Sequence, residues 1–221
     1  NKNKTYTIMT SQKLLLVLAI LAIPFIYLAL TWGQMPDQVA LHFGADGQPD
    51  RYGDKTELFT ALGIISCVGL FSFALIQWLP TIDPKKNFET NSTALFKFGI
   101  SLVVFMAILN VYIIYSATHP SEGRLIFVIL GGLFAAIGNL MHSIKPNYFV
   151  GMRLPWTLES EANWRSTHQF ASRLWFGGGI LMALLALLLP MKWVVAVFVG
   201  IIIILVLTPS IYSYRFYRQN S

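Results

Sequence analysis

LWFGGGILMALLALLLPMKWVVAVFVGIIIILVLTPSIYSY, residues 174–214, carries a single charged side chain, Lys192. A bilayer-spanning helix needs about 20 mostly apolar residues at about 1.5 Å rise each. The stretch is therefore long enough for two spans, 174–191 and 193–214, with so little between them that they must form a tight antiparallel hairpin. Four more uncharged runs precede it, at 14–32, 58–80, 98–118 and 125–141. Pro24 predicts a kink in the first. The alternation of a membrane barrel is absent, and lipid requires backbone groups to be satisfied within each segment. The expectation is an all-α protein, a six-transmembrane-helix bundle.

Composition agrees. Hydrophobic residues make up 55% of the 221, charged residues 12%, and mean hydropathy is +0.60. A soluble domain carries about twice that charge. Cys67, the one cysteine, lies in an apolar run and supports neither a disulfide framework nor a zinc site. The start, Asn-Lys-Asn-Lys followed by Lys13 and apolar residues, lacks a small-x-small cleavage pattern, so the first run is read as a retained helix.

Six spans put both ends on one side. That side then holds Lys2, Lys4, Lys13, Lys85, Lys86, Lys97, Lys145, Arg153, Arg165, Arg173, Arg215 and Arg218, against Arg51, Lys55, Arg124 and Lys192 on the other. The asymmetry places both termini and residues 145–170 in the cytoplasm, and the loop 33–57 outside. It accounts for the net charge of +6 without a nucleic-acid partner.

The loops carry the chemistry. In 33–57, Val39, Leu41 and Phe43 alternate with polar residues, which predicts a short extended segment on the membrane face. Asp46-Gly47 and Gln48-Pro49-Asp50 are turn signals. Asp46, Asp50 and Asp54 recur every fourth residue, but not at EF-hand spacing, and turn-forming aspartates are the simpler reading, so no metal is expected. His42 reads as an ordinary interface residue. In 145–170, Pro146, Pro155 and Gly151 exclude regular helix from the first part. A short interfacial helix is expected from about Leu158, capped by Thr157, with Glu159 and Glu161 at its positive end. Glu161, Trp164, Arg165, His168 and Ser172 would share one side of it. Two readings stand together: an anchoring Trp with an ion pair, or a functional site. Arg153 is expected to pair with Glu159 or Glu161.

The span cores hold no Asp, Glu, Lys or Arg, which argues against a proton pump, an ion-coupled carrier or an intramembrane protease. Asn110 and Asn139 read as hydrogen-bonding glue between helices. Gly131, Ala135 and Asn139, Gly132 and Ala136, and Gly177 to Gly179 read as close-packing positions.

Gly138-Asn139, Lys145-Pro146-Asn147, Gly151, Arg153, Pro155-Trp156-Thr157, Trp164-Arg165 and Thr167-His168 together resemble the signature region of the SdpI family. These are bacterial membrane proteins named for an immunity protein that guards a producing cell from its own secreted killing peptide. Pro36, Val39, His42, Gly47, Pro49-Asp50 and Lys55 resemble the small domain that often opens its members, with Gly44 a departure where an Asn is expected. The resemblance implies an N-terminal two-span unit, 1–80, and a four-span unit, 81–221, within one compact membrane domain. It implies a functional motif of Asn139, Lys145, Asn147, Gly151, Arg153, Pro155, Trp156, Glu161, Trp164, Arg165 and His168. It also implies extracellular recognition by His42, Pro49, Asp50 and Lys55. The implied role is a non-enzymatic immunity or receptor protein, without cofactor, facing a secreted peptide toxin outside and a cytoplasmic regulator inside. Two alternatives remain. A transporter or flippase of a small amphipathic substrate would line a polar cavity with Asn110, Asn139, Tyr112, Tyr115 and His142. A boundary enzyme would use Glu161, His168, Arg153 and His142.

Overall fold

The computed structural model describes residues 11–44, 48–82, 92–119 and 123–220; Lys2, Lys4, Asp46, Gly47, Lys85 and Lys86 lie outside them. The apolar runs form helices α1 (Ser11–Thr31), α2 (Glu57–Ile82), α3 (Ser92–Thr118), α4 (Arg124–Met141), α6 (Glu161–Leu188) and α7 (Met191–Asn220). All six are long and apolar enough to cross a membrane. Leu30, Ile64, Phe71, Leu188 and Ile203 are exposed on their outer faces. In water such a surface would aggregate; in a bilayer it is the lipid contact. The chain is a multi-pass membrane protein, an all-α six-helix bundle.

A two-stranded antiparallel hairpin, β1 (Gln38–Phe43) and β2 (Pro49–Asp54), covers one end. The expected extended segment is β1, but its alternation is broken. Val39 faces Gly53 and Ala40 faces Tyr52, then His42 faces Arg51 and Phe43 faces Pro49. Leu41 and Asp50 are the extra residues, so the two irregularities offset each other. Val39 and Ala40, just before the irregularities, are both buried. Val39 packs with Met35 against Leu28, Leu58, Leu62 and Ile114, which seats the hairpin on the ends of α1, α2 and α3.

Helix α3 packs on both α1 and α2, and α4, α6 and α7 form a second group joined to it through α3 and α4. Within the second group α4 and α6 lie closest. A Cβ on Gly131 would fall 2.7 Å from the Gly179 carbonyl oxygen and 2.8 Å from the Ala183 amide, and one on Gly138 would enter the Trp175–Phe176 backbone. The close-approach row is thus Gly131 and Ala135 against Gly179, with Gly138 against Trp175 and Phe176. Gly132 and Gly177 face open space, and Asn139 is exposed, so the expected role of Asn139 as glue is not met. Asn110 does bridge helices: it is buried and donates 3.0 Å to Ser66 Oγ and 3.3 Å to the Leu62 carbonyl. Cys67 is exposed on α2, on the lipid side.

Open carbonyls at one helix end and at one proline inside a helix are closed by side chains from elsewhere. Arg124, at the start of α4, donates to the Ala186, Leu187 and Leu189 carbonyls at 3.2, 3.0 and 3.1 Å. These are last-turn oxygens of α6 without helical partners, and a cation there also suits the helix dipole. Pro209 lies inside α7 and has no N–H to give the Leu205 carbonyl four residues earlier. The Trp175 indole of α6 donates to that carbonyl at 2.8 Å instead.

Candidate functional site

The chain after α4 does not form a loop through residue 170. Its irregular part ends at Leu154; the short helix α5 (Pro155–Glu159) follows, and α6 starts at Glu161. The short helix expected from Leu158 therefore comes earlier, and what lies beyond it is the first turns of a span. Ser160 is the reason: its side chain accepts from the Asn163 amide and caps α6, and no Gly or Pro interrupts the chain from there to Phe176. Thr157 lies within α5. Its hydroxyl accepts from the Leu154 amide at 2.9 Å and reaches the Met152 and Leu154 carbonyls, both at 2.8 Å.

The irregular part is tied by buried Asn147. Its Nδ2 donates to the Lys145 and Val150 carbonyls, both at 2.9 Å. Its Oδ1 accepts from the Phe149 and Val150 amides at 2.8 and 2.7 Å. An Asn side chain has two donors and two acceptor lone pairs, and all are used. The turn so formed pushes Phe149 and Val150 against Ile76 of α2 and Leu95 of α3, so it bridges the two helix groups.

Gly151 follows with φ +111°, a conformation that side chains rarely adopt. A Cβ there would run into His168 Nε2. His168 is buried and stacks on Trp164, rings 4.1 Å apart. Its Nδ1 lies 2.9 Å from the Trp164 carbonyl, and its Nε2 accepts from the Met152 amide at 3.0 Å. One nitrogen must donate and the other accept, which describes a neutral ring with the proton on Nδ1. The buried Trp164 indole donates to the Ile144 carbonyl at 2.8 Å. His168 and Trp164 thus hold the loop backbone at two points.

Asn163 and Ser213 were not singled out in the sequence, and Thr167 entered only through the resemblance. Asn163 Oδ1 accepts from Thr167 at 2.9 Å and from Ser213 at 2.7 Å, while its Nδ2 donates 3.1 Å to the Ser213 carbonyl. Trp156 Nε1 donates to Ser213 Oγ at 2.9 Å. The signal available was weak: Asn163 and Thr167 sit four apart on a helix, but Ser213 is distant in sequence.

The face drawn from Glu161 to Ser172 divides in two. Trp164, His168 and Ser172 are buried, whereas Glu161 and Arg165 form an exposed ion pair at 3.1 Å. Arg153 does not pair with Glu159 or Glu161; its Nη1 donates 2.6 Å to the Tyr148 carbonyl, and Glu161 serves Arg165. Lys145 and Pro155 are exposed. Asn139, Arg153, Glu161 and His168 therefore do not converge on one cavity. Nor do the groups assigned to a transport path: Tyr115 is exposed and stacked on His119, and Asn110 is engaged with α2. No group of three metal-ligating side chains occurs among the described residues.

The hairpin at the other end is the opposite kind of surface. His42 Nδ1 and Asp50 Oδ1 lie 2.6 Å apart and are both exposed. Pro49 opens β2, and Lys55 Nζ pairs with Asp37 at 2.9 Å while lying over the Trp32 ring. Asp54 accepts from the Thr56 hydroxyl and amide at 2.7 and 2.8 Å. The hydroxyl bond first, then the amide, holds its carboxyl below the ordinary value.

Comparison with known proteins now bears on both ends. The model of the SdpI/YfhL protein family matches residues 143–213, the whole buried lock and its Ser213 anchor. A domain of unknown function (DUF1648) matches residues 19–65, the hairpin with the helices that carry it. The chain is 20% identical over 210 residues to the immunity protein SdpI of Bacillus subtilis, covering 94% of this chain and 97% of that one. The protein belongs to the SdpI/YfhL family. An uncharacterized protein of Archaeoglobus fulgidus is 30% identical over 142 residues, 53% of this chain and 78% of that one. No solved structure matches. The family match thus falls on Lys145 to His168, most of the residues from which the resemblance was drawn, leaves out Gly138-Asn139, and extends to α7.

Proposed function

We propose that this SdpI-family protein is a non-enzymatic immunity protein that protects its cell from a secreted, membrane-active peptide. The near-full-length match to an immunity protein carries the reading. We place both termini and the lock around Asn147 in the cytoplasm and the hairpin outside, on the strength of the basic-residue asymmetry. On that placement His42, Pro49, Asp50 and Lys55 offer exposed groups where a peptide arrives, and the uncharged spans offer a lipid-facing surface it could share. The polar groups near His168 are engaged in holding backbone, which favours a strut over a catalytic centre. Docking of a cytoplasmic regulator would use the exposed residues of that side, Lys145, Arg153 and Arg165. The units 1–80 and 81–221 would divide the work between recognition and lock.

The test is protection. Deleting the gene from its host should raise sensitivity to peptides secreted by neighbouring strains, and the parent gene should restore resistance. A His42→Ala/Asp50→Ala protein at equal membrane abundance should restore less. Unchanged sensitivity of the deletion strain across such producers would overturn the reading.

A further inference from the structure

Helix α7 is 30 residues long, about 45 Å, whereas a bilayer's hydrocarbon core is about 30 Å and takes about 20 residues to cross. Lys192 and Trp193 mark one boundary. Counting along α7 puts the other near Tyr212, so the last two turns project to headgroup depth. There α5 lies against α7. Trp156 packs on Tyr214 and Tyr217, with ring centroids 5.3 and 6.0 Å away, and Trp156 is fixed by its bond to Ser213. Arg218 is exposed and shares a helix face with Tyr214, four residues before it; Arg215, also exposed, lies three residues before Arg218, farther round the helix. Arg153, also exposed, is tied through Nη1 to the Tyr148 carbonyl, and a guanidinium has five donors. One carboxylate, Glu159 of α5, is exposed nearby, while Glu161 is engaged by Arg165.

We propose that the foot made by α5 and the last turns of α7 is a seat for the anionic headgroup of a phospholipid, with Arg215 and Arg218 on the phosphate and the Trp156–Tyr214–Tyr217 rings at the glycerol level. The charge of the foot, its depth, and an aromatic shelf fixed to the bundle rather than mobile all fit a lipid already in the leaflet. The proposal does not rest on the immunity reading.

The test uses the purified full chain in neutral-detergent micelles titrated with phosphatidylglycerol, read by melting temperature and by lipids retained in native mass spectrometry. Each arginine near an anionic surface is worth on the order of a five-fold change in binding, so Arg215→Gln with Arg218→Gln should weaken retention about thirty-fold. Lys192→Gln, at the opposite boundary, should leave it unchanged. Retention by the parent should also fall as salt rises. Equal retention by the double variant, equal retention of phosphatidylcholine, or insensitivity to salt would each overturn the seat. Saturation by glycerol phosphate alone would also overturn it, as a site for a free anion.

Discussion

Asn147 uses one amide to close four backbone groups that the two neighbouring turns leave open. Asp would keep the acceptors and lose both donors; Ala would lose everything and leave two N–H and two C=O groups without partners in a buried turn. Each unsatisfied buried group costs about 1–3 kcal/mol. Water can reach part of such a turn, so Asn147→Ala is expected to destabilise by about 3 kcal/mol, with Asn147→Asp intermediate. Thermal melts of the purified protein check this, and Asn147→Ala melting with the parent would refute the role. The same reasoning makes Gly151 a backbone requirement rather than a contact, because its φ and the nearness of His168 both exclude a side chain.

At the scale of the element, α6 and α7 are held together by a defect. Pro209 leaves the Leu205 carbonyl without its helical donor and Trp175 supplies one. Trp175→Phe should therefore cost about 1–2 kcal/mol in the parent. In a Pro209→Ala background the helix regains its own N–H, and the same change should cost clearly less. A double-mutant cycle on unfolding would measure a coupling of about 1 kcal/mol; strictly additive effects would mean that the indole bond contributes nothing. The α4–α6 contact makes a second contrast. Gly131→Leu should destabilise strongly because its Cβ meets the backbone of Gly179 and Ala183, while Gly132→Leu, one residue on, should melt like the parent. Which of two adjacent glycines is the close one could not be read from spacing: the expected four-residue row ran through Asn139, and the real one turns toward Gly138. Span number was legible because length and charge set it, and so were the limits of α4, expected at 125–141 and found at Arg124–Met141. The fifth run, expected at 174–191, begins inside a helix that already starts at Glu161. The short helix was misplaced because Ser160, one residue among several able to cap, takes that role. Asn163 with Ser213 was invisible because its partner is 50 residues away.

For the whole molecule, the two ends differ in kind. One end is a hairpin with exposed, paired charges that rests on an apolar floor. The other is a hydrogen-bonded lock that joins both helix groups through Phe149, Val150 and Trp156. Which end faces the cell interior follows from charge placement alone, since the bundle's packing is indifferent to direction. Every role assigned to the ends inherits that placement. Cys67 is the one native thiol, so a Cys67→Ser chain is a clean background for single cysteines. Tyr52→Cys on the hairpin, exposed and outside the ion pairs, should react in intact cells with a membrane-impermeant maleimide. Arg218→Cys at the end of α7 should react only after the cells are opened. The reverse pattern would turn the hairpin inward and remove it from the path of any secreted peptide, while leaving the lock, the proline defect and the glycine row as they are.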